Sequence, residues 1–156
     1  MEYPTPETVD DWDDASLLSV VGLEATERQQ RHGIESLNDS ERVLCCLGDF
    51  EGDVNNGGFG MWLADRRPSV LLATVAALDT IGATDMASFV RSVLAKLGDI
   101  GKFATLDDWQ AHFESLPDEY HEGLETLSGR YVELEAAYLA LAYRYARGHW
   151  HQVRTG

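Results

Sequence analysis

The residues best suited to chemistry are concentrated between Asp49 and Gly60. Carboxylate and amide side chains alternate from Asp49 to Asn55, as they do in calcium-binding loops that join two helices. Such a loop needs glycine at its sixth position and glutamate at its twelfth, where this chain has Val54 and Gly60. The glycines that follow also lack the preceding strand and the lysine of a phosphate-binding loop. Neither calcium nor phosphate binding is therefore predicted here.

Adjacent asparagine and glycine residues predict a corner in the chain at this place. The corner residues are Asn55, Asn56, Gly57 and Gly58. Both residue types tolerate positive φ, so they can end a helix and reverse the chain. We expect Phe59 to be the apolar plug that fixes the exit direction, and the Glu51 carboxylate to accept the amide hydrogens freed at the corner. Glu51→Ala would then cost about 1–3 kcal/mol, because buried donors would be left unpaired.

Other reactive side chains lack the neighbours that catalysis or metal binding needs. Cys45 and Cys46 are adjacent within an apolar helical pattern, so they point in different directions and are predicted to be reduced core thiols. His149 and His151 have no further metal ligand beside them in the sequence. No Gly-x-Ser-x-Gly motif is present. We therefore predict no catalytic residue, no metal site and no cofactor.

Apolar residues recur at helical spacing, and helix start and stop signals divide the chain into segments. The start signals are Asn38 with Glu41, Pro68, Thr84 and Thr105, and the stop signals are Gly33, Gly82 and Gly98. The last helix is predicted from about Ser128 to Arg147. No strand-like alternation bounded by hairpin turns occurs. These patterns predict an all-α fold, a single-domain bundle of six to eight helices.

The two ends of the chain are predicted to lie outside this bundle. Residues 1–14 contain two prolines and a run of acids, which indicates an irregular acidic arm, with Trp12 docked on the body. Residues 15–147 would form the helical domain, and residues 148–156 a flexible tail. The acidic start is unlike a secretory signal, and no long apolar run is present, so we expect a cytoplasmic protein with no membrane span.

The net charge of -15 is the strongest compositional feature of this 156-residue chain. Such a field repels nucleic acid and attracts basic proteins. Glu119, Glu122 and Glu125 recur every third residue, which places carboxylates about 4.5 Å apart along a helix axis. The predicted partner-binding acidic surface comprises Asp10, Asp11, Asp13, Asp14, Glu114, Asp118, Glu119, Glu122 and Glu125. The alternative is that these acids only keep the protein soluble.

Two strings of the sequence resemble a bacterial family that is catalogued as a domain of unknown function. They are Glu51 with Val54-Asn-Asn-Gly-Gly-Phe59, and Val75 with Leu78-Asp-Thr-Ile-Gly-Ala83. The family includes an acidic, all-helical, dimeric DNA-mimic protein that occupies the DNA-binding surface of a transcriptional regulator. The resemblance thus implies a homodimer and a basic partner, such as a DNA-binding transcriptional regulator. It does not extend to the first 35 residues.

The residues leave three functional hypotheses open. The first is a non-enzymatic interaction protein whose acids bind a basic partner, while the corner around Gly58 has a structural role. The second is a small-molecule or catalytic pocket at the corner, with Glu51 and Asn56 as its polar groups. The third is an immunity-type protein that neutralises a basic toxin, which would use the same electrostatics as the first.

Overall fold

A computed structural model describes residues 2–156 and shows six α-helices in this range. They are α1 (Asp14–His32), α2 (Asp39–Asp65), α3 (Pro68–Thr80), α4 (Thr84–Ala95), α5 (Leu106–Glu114) and α6 (Asp118–His149). Short 3-10 turns occupy Val9–Asp11, Ile34–Ser36, Ile100–Lys102 and Trp150–Gln152. These residues contain no strand, which confirms the predicted all-α, single-domain bundle. None of their helices combines the length and apolar character needed to cross a membrane.

Helices α1 and α2 pack through a close approach of two glycines. Asp13 caps α1 by accepting a hydrogen bond of 2.8 Å from the backbone N–H of Ser16. A Cβ added at Gly22 would lie 3.1 Å from the carbonyl oxygen of Leu44, and one at Gly48 would lie 3.2 Å from Cα of Gly22. Because the neighbours are backbone atoms, a side chain at either position would push the helices apart. Gly22 therefore serves packing, although its helix propensity is poor.

The predicted capping box at the start of α2 is confirmed, and it is also tied to the end of the chain. Asn38 and Glu41 exchange two hydrogen bonds of 2.9 Å between side chain and backbone. The fully buried Glu41 carboxylate also accepts from the backbone N–H of Arg154, at 2.9 Å, and from its guanidinium. Burial acts to raise the pKa of Glu41, but the hydrogen bonds from Arg154 and from the Asn38 N–H lower it overall.

The segment 148–156 is packed on the body, where the sequence predicted a flexible tail. Val153 is buried with 5 % of its surface exposed, and Arg154 is held by Glu41. The acidic arm is also fixed, because the Arg147 guanidinium donates to the carbonyl oxygens of Val9 and Trp12. An apolar side chain and long-range hydrogen bonds thus hold both ends, and neither contact is visible in local sequence.

The middle helices begin and end where the sequence predicted. Pro68 occupies the first turn of α3, and Gly82 takes φ 83° between α3 and α4. Thr105 caps α5 by accepting from the N–H of Asp108 at 3.1 Å. The indole N–H of Trp109 in α5 donates to the carbonyl oxygen of Leu63 at 2.6 Å, which fixes α5 against the end of α2.

Helix α6 begins at Asp118, ten residues before the predicted start at Ser128. Its 32 residues span about 48 Å at the rise of an α-helix. The prediction was wrong because Gly123 and Gly129 and the many acids weaken the apolar pattern of this stretch. Leu124 is nevertheless buried, and packing of such residues stabilises a helix of low intrinsic propensity. The acids from Asp118 to Glu125 therefore stand on a continuous helix.

Candidate functional site

The predicted corner is a sharp bend inside α2, and a single residue makes it. Gly58 has φ 74° and ψ -172°, a backbone conformation available essentially to glycine alone. No residue other than glycine has positive φ within residues 2–156, so Asn55 and Asn56 do not use their tolerance of that conformation. Gly57 is required for a different reason, since a Cβ there would lie 2.8 Å from the side chain of Met61. Glycine is thus needed at position 57 because a side chain would not fit, and at position 58 because of the backbone angles.

Ion pairs across Gly58 show that the chain folds back there. Arg66 donates to both carboxylate oxygens of Asp53, at 2.6 and 3.0 Å, and its Nη1 lies 3.2 Å from Oδ1 of Asp49. Thirteen residues of straight helix would separate Asp53 from Arg66 by about 20 Å along the axis. The two parts of α2 on either side of Gly58 must therefore lie side by side, which confirms the predicted reversal.

The ion pairs that Arg66 makes with Asp49 and Asp53 are here called the Arg66 clamp. The buried carboxylate of Asp49 lies at its centre. The hydroxyl of Thr26 donates to its Oδ1 at 2.7 Å, and the thiol of Cys45 donates to its Oδ2 at 3.7 Å. Burial raises the pKa of Asp49 to about 6, although the charge of Arg66 acts in the opposite direction. The clamp thus joins α1 to both parts of α2 by charged and polar contacts.

Phe59 is the apolar plug that the sequence predicted. It is fully buried, and its ring packs edge-to-face against four aromatic rings, with centroid distances from 5.5 to 6.1 Å. These rings belong to Phe50, Trp62, Phe89 and Tyr131. They come from both parts of α2, from α4 and from α6. The corner is therefore anchored in the core.

Glu51 does not cap the corner, and that prediction is corrected. Its Oε1 accepts from the side-chain amide of Asn55 at 3.0 Å, and no backbone N–H of residues 2–156 donates to its carboxylate. Asn55 follows Glu51 by four positions, about one helical turn, so the side chains meet while the backbone amides stay within the helix. Since Asn55 is exposed, we now expect Glu51→Ala to cost less than about 1 kcal/mol.

The surroundings of Glu51 are nevertheless unusual. The Asn55 amide also approaches the hydroxyl of Tyr131, at 3.4 Å. Burial, and then the nearby charge of Glu135, raise the pKa of Glu51. Burial likewise raises the pKa of Tyr131. A half-buried carboxylate thus faces α6 beside a phenol and a second carboxylate, while Asn56 is exposed to solvent.

The two cysteines lie in the core, as predicted. Cys45 and Cys46 are free thiols and fully buried, and burial raises the pKa of both, that of Cys46 to about 12. A thiol that resists ionisation is a poor nucleophile. In the described part of the chain, no three histidine, cysteine or acidic side chains are placed to hold a metal ion.

All nine acids of the predicted surface are exposed, but the structure divides them into two groups. The first, here called the α6 patch, comprises Glu114, Asp118, Glu119, Glu122 and Glu125. The second comprises Asp10, Asp11, Asp13 and Asp14 in and beside the arm. None of the α6 patch acids takes part in an ion pair within residues 2–156. Their carboxylates therefore remain free to interact with a partner.

Two acids in and beside the arm, Asp13 and Asp14, have structural roles, and this group lies far from the α6 patch. Asp13 caps α1, and its hydrogen bonds from Ser16 lower its pKa. Asp14 pairs with Arg147 at 2.9 Å, near the C-terminal end of α6. Since Arg147 follows Glu122 by twenty-five helical residues, the two groups are separated by about 38 Å along α6. The nine acids that the sequence assigned to one partner-binding surface therefore lie in two separate groups.

Comparison with known proteins gives one match. Residues 35–149 match the model of a family described as DMP19-like protein. No curated protein and no solved structure is significantly similar to the chain. The matched range begins just before α2 and ends with α6, so it includes the Gly58 corner and the α6 patch, and excludes the arm and α1.

Proposed function

The chain belongs to the DMP19-like protein family, and from that premise we propose that it is a non-enzymatic protein that binds a basic protein partner. The charge of the chain and the resemblance to an acidic DNA-mimic protein favour a DNA-binding transcriptional regulator as that partner. The α6 patch is the proposed contact surface. The corner at Gly58 has a structural role, because it places α6 against both parts of α2.

The proposal is supported by the clustering of five exposed acids, unpaired within residues 2–156, at the end of α5 and the start of α6. Elsewhere on the surface several acids have an arginine within ion-pair distance, as Asp79 has in Arg91 and Glu133 in Arg130. The α6 patch has five acids without such a partner in the described chain. Exposed charges of one sign raise the association rate with a partner of opposite sign and reject partners of the same sign.

The geometry of the α6 patch is compatible with imitation of a phosphate backbone. Asp118, Glu122 and Glu125 lie within about 60° of one another around the helix, at axial steps of about 6 and 4.5 Å. Phosphates of one DNA strand advance about 3.4 Å along the duplex axis per nucleotide. The two spacings are comparable, so a surface that holds phosphates with arginine and lysine could hold these carboxylates.

Affinity capture tests the proposal. The tagged protein is incubated with a lysate of its own cells at low salt, and bound proteins are eluted with a salt gradient and identified by mass spectrometry. We expect a basic protein that elutes by about 0.5 M salt, since salt screens exposed charges. A partner that is acidic, or that stays bound at high salt, would contradict the electrostatic proposal.

A competition experiment then separates DNA mimicry from other basic partners. If the captured protein is a DNA-binding regulator, its labelled operator duplex should be displaced by this protein in a mobility-shift assay. A ternary complex would refute mimicry and leave the interaction role intact. Capture of a basic toxin would instead identify an immunity-type protein, the alternative with the same electrostatics.

The surroundings of Glu51 favour a second candidate, a small-molecule or catalytic pocket at the corner. The raised pKa of Glu51 and its proximity to Tyr131 are features that binding sites share. A thermal-shift screen of metabolites against the wild type and Glu51→Gln tests it. Stabilisation of the wild type alone by one compound class would support a pocket. Identical responses of both proteins would show that Glu51 does not belong to a binding pocket.

A further inference from the structure

An apolar groove of about 660 Å³ lies between α4 and the beginning of α6. Its apolar lining is Phe89 and Val93 from α4 and Leu97 just after α4, with Leu116 before α6 and Leu124 and Leu127 from α6. Of these, only Val93 and Leu124 are buried, and the others are partly exposed. The groove therefore presents leucine and phenylalanine side chains that neither helix fully covers.

Gly123 lines this groove without a side chain. It lies on α6 among the lining residues, and a Cβ there would meet nothing within 4 Å. Its φ is not in the positive range, so the backbone does not require glycine. Glycine is also a poor residue for a helix interior. Neither the backbone conformation nor local packing requires glycine at position 123, so a larger side chain can be placed there to fill the groove.

The charges at the rim indicate what the groove accepts. Glu119 lines the α6 side, and Glu122 lies one turn away on the same helix, both without an ion-pair partner in the described chain. Lys96 is the cation on the α4 side. The lining includes residues 89–97, from α4 into the turn that follows it, and residues 119–127 of α6, which span about 12 Å of helix. An occupant of two helical turns fits this length.

We propose that the groove binds an amphipathic basic α-helix of the partner protein. Apolar residues at positions i, i+3 or i+4, and i+7 of that helix would lie on the leucines and Phe89, as amphipathic helices do in apolar grooves. Arginine or lysine on the edge over α6 would contact Glu119 and Glu122. This inference rests on the proposed function and adds to it the secondary structure and polarity of the partner segment.

Two synthetic peptides of identical composition test the proposal. Both contain eighteen residues of leucine, alanine and arginine and carry the same charge, but only the first places its leucines on one helical face. Fluorescence anisotropy should show the striped peptide binding at least ten times more tightly than the permuted one. In an NMR titration of the wild type, the striped peptide should shift the amide resonances of Leu97 and Leu127 at lower peptide concentration than those of the arm.

Two glycine variants provide the matched comparison. Gly123→Leu fills the groove, whereas Gly129→Leu adds the same side chain to the same helix, also where a Cβ meets nothing within 4 Å. Gly129 does not line the groove. We expect Gly123→Leu to weaken binding of the striped peptide at least tenfold and Gly129→Leu to change it less than twofold. Circular dichroism verifies that both variants fold.

Each remaining outcome overturns the groove proposal in a recognisable way. Equal binding of both peptides would mean that charge alone attracts them, which leaves the proposed function intact. Absence of binding, or equal effects of the two glycine variants, would also refute it. Sedimentation that shows Gly123→Leu dissociating a dimer, without peptide binding, would assign the groove to a second copy of this chain. The proposed function is tested separately, by the affinity capture and its salt gradient.

Discussion

Replacement of Gly58 by alanine tests the most sharply defined structural element of this protein. At φ 74° and ψ -172°, a residue with a Cβ is strained by about 1–3 kcal/mol. There is room for the added atom, since its nearest neighbour would be Oγ of Ser128 at 3.6 Å. Alanine also restricts the unfolded chain, which offsets about 0.4–1 kcal/mol. We therefore expect Gly58→Ala to lose about 1–2 kcal/mol of unfolding free energy.

Gly52→Ala is the matched control on the same helix. A Cβ at Gly52 meets nothing within 4 Å, and its backbone is helical, so alanine should stabilise α2 by about 0.5–1 kcal/mol. Urea unfolding followed by circular dichroism measures both variants. For a domain of this size, the Gly58→Ala loss corresponds to a melting temperature lower by about 2–8 °C. A Gly58→Ala protein as stable as the wild type would refute the claim that this residue sets the bend.

Two further predictions concern buried carboxylates. Because the pKa of Asp49 is raised to about 6 from an ordinary value near 4, its contribution to stability is present below pH 4 and lost as the pH rises through about 6. The unfolding free energy of Asp49→Asn, measured by urea titration relative to that of the wild type, should thus rise by about 1–3 kcal/mol from pH 4 to pH 7. A fall over this range would show that the charge of Arg66 outweighs burial in setting the pKa of Asp49. Glu41→Gln should cost about 2–4 kcal/mol at pH 7, because Arg28 and Arg154 lose their buried counter-charge, and a loss below 1 kcal/mol would contradict that role.

Features governed by neighbouring residues could be predicted from the sequence. The capping box of Asn38 and Glu41, Pro68 in the first turn of α3 and Gly82 after α3 each follow from local backbone chemistry. The corner was predicted for the same reason, since Gly58 is the residue type that such backbone angles demand. The family resemblance was likewise inferred from local strings, and residues 35–149 match the model of the DMP19-like family.

Features governed by distant residues could not be predicted. Arg154 lies 113 positions from Glu41, and no local pattern indicates that their side chains meet. The Arg66 clamp similarly depends on the fold-back at Gly58. Only that bend brings the Arg66 guanidinium to the carboxylate of Asp53, where it would otherwise be in solvent. Nor could the sequence show that the arm and the α6 patch lie at opposite ends of one helix.

A comparison of two triple variants decides whether the partner binds the α6 patch. The Kd of the captured partner is measured by titration calorimetry for Glu119→Gln/Glu122→Gln/Glu125→Gln and for a control, Glu7→Gln/Asp10→Asn/Asp11→Asn. Both triple variants remove three exposed charges that lack an ion-pair partner in the described chain. At about 0.5 kcal/mol for each contact, the α6 variant should bind about tenfold more weakly, and the arm variant almost as the wild type does. Equal weakening of both variants, or of neither, would contradict the assignment of the partner to α6.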